Sequence, residues 1–218
     1  MKIAGIDEAG RGPVIGPMVM AIVSMEPEQE IILKNMGAKD SKLLSPDQRE
    51  RLFDLITKQF EYDLIILSPQ EIDHALFSDN MNLNWLEAIT SAKLINGMKK
   101  VDKVLVDCPS NNVPAYSAYL KQRLENQKIN LIAEHKADAK YVIVSAASII
   151  AKVTRDREIE KLKKKHHVEF GSGYPSDPFT VEFLQKNYTK DFPFFRKSWQ
   201  SYKRLAGEKK QKKLFDEF

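Results

Sequence analysis

Asp7 and Glu8 stand side by side at the end of an apolar run, Ile3-Ala4-Gly5-Ile6, and are followed by Ala9-Gly10-Arg11-Gly12-Pro13. Neighbouring carboxylates repel one another unless a cation lies beside them, so the pair asks for a metal ion. Gly10 and Gly12 carry no side chain to hold a ligand off the backbone, and Arg11 offers a planar fork of donors matched to phosphate. The fragment suits an anionic substrate handled through a metal. A solvated turn would account for the dipeptide taken alone, because short patterns recur by chance. Acids further along the chain add the weight.

Asp107 closes the apolar run Val104-Leu105-Val106, and Asp138 follows Ala133-Glu134-His135-Lys136-Ala137 ahead of a long helical stretch. Sheets of the α/β kind bind ligands beyond their strand ends, so Asp7, Glu8, Asp107 and Asp138 are expected to converge on one sheet edge. An all-oxygen set without a Cys or His cluster favours Mg²⁺ or Mn²⁺ over zinc. Each later acid by itself reads more readily as a cap or turn residue. Together they read as a site.

The elements that must position these acids follow from periodicity and punctuation. Residues 2–6, 18–23 and 62–67 read as strands, the first two joined by a Gly/Pro-rich turn, in an antiparallel meander. Ser45-Pro46 starts a helix, and a second spans 82–98 with Leu86, Ile89, Leu94 and Ile95 on its apolar face. A strand at 104–107, a helix at 113–124 and a strand at 129–133 then alternate as an α/β sheet does. The predicted fold is therefore α/β, a central mixed sheet flanked by helices. From Val142 to Lys165 the chain is helix-compatible, small and apolar over Ser145-Ala146-Ala147-Ser148-Ile149-Ile150, which calls for close packing, and then charged. Residues 171–178 read as a loop and 178–188 as a helix. No linker cuts residues 1–207, which are expected to form one domain with a helical C-terminal part; 208–218 read as a charged, mobile tail.

With 218 residues, 43% of them hydrophobic and 29% charged, the chain describes a soluble globular protein and excludes disorder for most of its length. A net charge of +4 permits a polyanionic partner without demanding one. The single cysteine, Cys108, rules out an internal disulfide and fits a reducing compartment. No basic-then-apolar leader opens the chain, and the longest apolar stretch, Val14 to Met25, is broken by Gly16-Pro17 and too short to cross a bilayer. A cytoplasmic monomer is the expectation.

Ordered motifs over residues 3–178 resemble a known family, the type 2 ribonucleases H, or ribonuclease HII, of the archaeal kind. They are Gly5-Ile6-Asp7-Glu8-Ala9-Gly10-Arg11-Gly12, Asp40-Ser41-Lys42, Val106-Asp107, His135-Lys136-Ala137-Asp138, Ser145-Ala146-Ala147-Ser148-Ile149 with Ala151-Lys152 and Arg155-Asp156, and Gly171-Ser172-Gly173-Tyr174-Pro175-Ser176-Asp177. The resemblance implies a ribonuclease H-like fold with four metal-binding catalytic acids at Asp7, Glu8, Asp107 and Asp138. It also implies hydrolysis of the RNA strand of RNA–DNA hybrids and incision at ribonucleotides embedded in duplex DNA, in the service of replication and repair. Two divalent ions, Mg²⁺ or Mn²⁺, about 4 Å apart would activate water and stabilise the leaving oxygen, giving 3′-hydroxyl and 5′-phosphate ends. The backbone of Gly10-Arg11-Gly12 and the ring of Tyr174 are the positions for sensing the 2′-hydroxyl, the group that separates RNA from DNA. Lys42, Lys152 and Arg155 are candidate phosphate contacts. The related ribonuclease HIII carries an extra domain before its acidic pair, which the early position of Asp7 leads one not to expect here.

Two other readings compete: a hybrid- or clamp-binding module without hydrolysis, and a structure-selective DNA nuclease on the same fold, which Gly10-Arg11-Gly12 and Tyr174 argue against. The last residues, Gln211-Lys212-Lys213-Leu214-Phe215-Asp216-Glu217-Phe218, resemble a degenerate sliding-clamp peptide in Gln211, Leu214, Phe215 and Phe218, with Glu217 where that pattern wants an aromatic. A short helix folded back on the body is the alternative.

Overall fold

A computed structural model describes residues 1–38 and 44–215, the last eight as backbone only. Asp40, Ser41, Lys42 and Phe218, and the side chains of Gln211, Leu214 and Phe215, lie outside the described residues. The chain divides into two compact units. One takes Met1–Ala9, Val19–Ile66 and Asn82–Arg155; the other takes Gly10–Met18, Leu67–Met81 and the chain from Asp156 onward.

The first unit is built on a five-stranded sheet in the order β3-β2-β1-β4-β5. Its strands are β1 (Ile3–Ala9), β2 (Met18–Met25), β3 (Glu61–Leu67), β4 (Lys103–Asp107) and β5 (Asn130–Glu134). β1 runs antiparallel to β2 and parallel to β4, and β4 runs parallel to β5, so the sheet is mixed as expected. Side chains alternate across a strand. One sheet face, carrying Val19, Ala21, Val23 and Leu105, packs on α1 (Glu30–Met36), α2 (Pro46–Gln59) and the first half of α7 (Val142–His166). The opposite face, carrying Ala4, Ile6, Met20, Ile22, Val104 and Val106, packs on α4 (Leu83–Gly97) and α5 (Val113–Lys121). Burial on both faces is why these strands read as unbroken apolar runs rather than alternating ones.

Local signals set the helix starts. Ser45 caps α2, its Oγ accepting from the Gln48 backbone at 3.2 Å while Gln48 Oε1 accepts from the Ser45 backbone at 2.8 Å. Asn82 caps α4 by accepting from the Trp85 backbone at 3.0 Å. The small residues that open α7 do what their size suggests. At Gly5 an added Cβ would lie 2.6 Å from the backbone of Ile143 and Val144, so only glycine lets α7 come this close to β1.

The second unit gathers around phenylalanines. Phe170, Phe194 and Phe195 are buried with Val14, Ile15, Ile159 and Leu184, and Phe192 stacks on Phe194 with ring centroids 4.7 Å apart. Its helices are α3 (Pro69–Phe77), the second half of α7, α8 (Pro178–Asn187) and α9 (Gln200–Phe215). α3 and α9 escape the sequence reading. The segment from 208, read as a tail, continues the α9 backbone as far as Phe215. Among the described residues no helix is long and apolar enough to cross a membrane.

Candidate active site

Strand register brings the acids together. β1 does not end at Ile6, as the sequence suggests, but continues through Asp7, Glu8 and Ala9, which pair with Ala21, Met20 and Val19. On the other side Ile6 sits opposite Val106, and Asp107 sits opposite Glu134. Asp7 and Asp107 therefore reach the C-terminal ends of adjacent parallel strands at one level, where sheets of this kind place their ligands. Asp138 enters from α6 (Ala137–Lys140), the short turn after β5. Ligand oxygens of Asp7, Asp107 and Asp138 all lie within 4.8 Å of one another.

Period-two alternation puts Glu8 on the opposite sheet face from Asp7. The structure brings three of the four predicted acids into one group and leaves Glu8 beside it. Glu8 still acts electrostatically, on Asp7 in one direction and on Cys108 and Tyr116 in the other. Sequence adjacency suggested a pair sharing one ion. The strand alternation starts their side chains on opposite faces, yet the Glu8 charge still acts on the Asp7 carboxyl more strongly than that of Asp107.

Each aspartate is held. Asp107 Oδ1 accepts from the Ala137 backbone at 2.9 Å. That contact depends on Lys136, whose left-handed backbone, φ 57°, turns the chain into α6. His135 Nδ1 and the Cys108 carbonyl, 2.9 Å apart, tie the same crossing. Asp7 accepts a hydrogen bond from Ser148 of α7, and Lys152 Nζ donates to Ser148 Oγ at 3.0 Å. Lys152, a candidate phosphate contact, is thus one hydroxyl removed from Asp7. Arg155, the other described candidate, is only 5% exposed, which suits a structural guanidinium better than a surface contact with phosphate.

Asp7 is 5% exposed and Asp138 4%. Burial above all, then the charges of Glu8 and Asp107, hold the Asp7 carboxyl well above the usual carboxylate range, and the Ser148 hydroxyl pulls it partly back. Two like charges at the 4.8 Å limit repel by about 3 kcal/mol at an effective dielectric of about 20. A hydrogen bond returns about 1–3 kcal/mol. The clustered charges therefore exceed what their donors offset, and either a proton or a cation must make up the difference. Hard oxygen ligands at this spacing fit Mg²⁺ or Mn²⁺.

In the second unit, the loop from Gly10 to Gly16 is fixed by Arg196 and Trp199. Arg196, 0% exposed, donates from Nε to the Gly16 carbonyl at 2.9 Å, from Nη1 to Arg11 at 3.2 Å and from Nη2 to Gly10 at 2.7 Å. Trp199 Nε1 donates to the Gly12 carbonyl at 3.0 Å. Gly10 holds φ 84°, a left-handed value that glycine adopts without strain. An added Cβ on Gly12 would meet Tyr174 Cε1 at 3.5 Å, so the predicted loop and the predicted ring do lie together. Tyr174 is 38% exposed. Its own loop is braced by Asp177, which accepts from the backbone of Ser172 at 2.7 Å and of Phe179 at 3.0 Å. Arg196 and Trp199 were not legible as site residues; an arginine directly after Phe192-Pro193-Phe194-Phe195 was the available sign of a buried guanidinium.

A mixed α/β sheet with a cluster of aspartates beside its parallel strand ends suits a hydrolase that works through divalent metal. Comparison with known proteins narrows the class. The family described as Ribonuclease HII matches residues 4–202. A Ribonuclease HII of Pyrococcus horikoshii is 47% identical over 210 residues, covering 94% of this chain and 93% of that protein. The crystal structure of the ribonuclease H2 from Pyrococcus horikoshii OT3 superposes with a TM-score of 0.86 at 45% identity, covering 95% of this chain and 98% of that one. RNase HII of Archaeoglobus fulgidus, solved in complex with PCNA, superposes at 0.77 with 41% identity, covering 85% and 88%. The chain belongs to the ribonuclease HII family, metal-dependent endoribonucleases that act on RNA–DNA hybrids.

The raised Asp7 carboxyl has a measurable consequence. A raised value means that the folded state keeps a proton the unfolded chain gives up, so metal-free protein loses stability as pH rises from the ordinary carboxylate range through Asp7's own. Asp7→Asn removes that loss. In excess EDTA, melting curves from about pH 4 to about pH 8 should show the variant gaining on wild type as pH rises. A difference in Tm that does not change with pH would count against the buried charge cluster.

Proposed function

We propose that this chain cuts the RNA strand of RNA–DNA hybrids, and duplex DNA at single embedded ribonucleotides, by in-line hydrolysis with two divalent ions, leaving 3′-hydroxyl and 5′-phosphate ends. The observation that carries this reading is the group of Asp7, Asp107 and Asp138, two of them buried, with ligand oxygens within 4.8 Å. Bound Mg²⁺ or Mn²⁺ would supply activation of water and neutralisation of charge on the phosphate and leaving oxygen. Asp7, Asp107 and Asp138, with Glu8 beside them, would hold the ions. Ser148, steadied by Lys152, fixes the Asp7 carboxylate.

Recognition of the substrate falls to the Gly10-Arg11-Gly12 backbone and Tyr174, which meet a ribose through its 2′-hydroxyl. Lys42 and Lys152 are the proposed phosphate contacts. A cleavage assay in Mg²⁺ comparing a hybrid, a duplex with one ribonucleotide and an all-DNA duplex tests the assignment. Wild type should cut the first two only, and Asp107→Asn should lose at least about a thousandfold in rate on both, since a charged ligand supplies several kcal/mol of transition-state stabilisation. Comparable cutting of all-DNA duplex, or near-native turnover in the variant, would overturn the proposal.

The C-terminal segment around Gln211, Leu214, Phe215 and Phe218 is proposed to bind a sliding clamp, a reading supported by the Archaeoglobus fulgidus RNase HII solved with PCNA. Calorimetry with the clamp of the same organism should give micromolar-class binding that deletion of Leu214 to Phe218 abolishes while hydrolysis persists. No heat with the full chain would dismiss the peptide.

A further inference from the structure

We propose that Arg196 and Trp199 set ribose selectivity, by holding the carbonyls of Gly10, Arg11 and Gly12 on one side so that the loop's N–H groups face the other. The inference rests on reading this loop as the 2′-hydroxyl sensor. In a trans peptide each C=O points opposite to the N–H that follows it, and no cis bond occurs among the described residues. With the Gly10 and Arg11 carbonyls drawn to the Arg196 guanidinium, the N–H groups of Arg11 and Gly12 point away from it. The Gly12 carbonyl drawn to Trp199 is followed by Pro13, which has no N–H, so this bond presents no donor of its own and instead anchors Gly12, the residue that carries the second donor. The loop therefore presents two donors in succession, and Tyr174 flanks the second.

The two residues act as one unit. The Arg196 guanidinium lies over the Trp199 ring, 4.7 Å from its centroid. The backbone between them is pinned by Asp73 of α3, which accepts from the N–H of Lys197 at 2.7 Å and of Ser198 at 2.9 Å. Arg196's own N–H donates to the Val14 carbonyl at 2.9 Å, fastening the same loop further along. A guanidinium is suited to this because its donors sit in a fixed plane and keep their charge when buried. Lysine would bring charge but only a point, unable to span three carbonyls.

Neither residue need touch substrate, so both are positioning residues. Trp199→Phe deletes the indole N–H and keeps an aromatic ring; Arg196→Lys keeps the charge and loses the fork. The test measures fluorescence anisotropy in Ca²⁺ on a single-ribonucleotide duplex and on its all-DNA counterpart, with melting temperature as a control. Wild type should prefer the ribonucleotide duplex. In Trp199→Phe the preference should fall about tenfold, with affinity for all-DNA duplex and the melting temperature little changed, an effect that loss of packing would not produce. A variant that keeps the full wild-type preference would overturn the proposal while leaving the sensor reading intact. If wild type itself shows no preference, the sensor reading falls and the proposal with it. Should Arg196→Lys fail to fold, Trp199→Phe alone decides.

Discussion

Three carboxylates held within 4.8 Å at the ends of two parallel strands and a turn are a standing electrostatic cost, and much of the first unit serves to keep it in place. The β1–β4 register levels Asp7 with Asp107. Gly5 lets the start of α7 approach β1 so closely that Ser148 can reach Asp7. Lys136, in a left-handed conformation that is uncommon for a residue with a side chain, delivers the Ala137 N–H to Asp107. None of these donors is strong enough to cancel the mutual repulsion. What they do is fix the geometry in advance, so that a divalent cation would meet ligands already in position, as a preorganised site requires.

The second unit solves a different problem, that of orienting uncharged backbone. Recognition of a hydroxyl needs donors with a defined direction, and a glycine-rich loop has little direction of its own. Here direction comes from beneath, through four hydrogen bonds from Arg196 and Trp199 to loop carbonyls. Gly16, the far end of the loop, is held as well by its N–H bond to the Phe194 carbonyl at 2.9 Å. On the proposed reading of this loop as a hydroxyl sensor, flexibility for close approach and rigidity for selectivity fall to different residues.

Much of this was legible in the chain. The order of strands and helices from Val104 to Ala133, the Ser45 cap, the helix beginning at Asn82, the small face of α7 and the positions of Asp7, Asp107 and Asp138 follow from local chemistry and spacing. What was missed is tertiary. The strand end at Ile6 was misjudged because Asp and Glu are poor strand formers, and only pairing with Met20 and Ala21 carries β1 past them. The alternation of Asp7 and Glu8 across the sheet follows from that extension. Ser148 read as packing, since nothing in Ser145-Ala146-Ala147-Ser148 tells which hydroxyl turns to a carboxylate. Arg196 was not singled out at all, and only the fold shows it buried under a loop some 180 residues earlier.

The central claim, that Asp7, Asp107 and Asp138 together form a divalent cation site, is tested most directly by titrating Mn²⁺ into the protein and following its electron paramagnetic resonance. Wild type and Asp47→Asn, an acid at the start of α2 outside the cluster, should bind alike. Asp7→Asn, Asp107→Asn and Asp138→Asn should each bind at least about tenfold more weakly. Wild-type affinity in all three cluster variants would contradict the account.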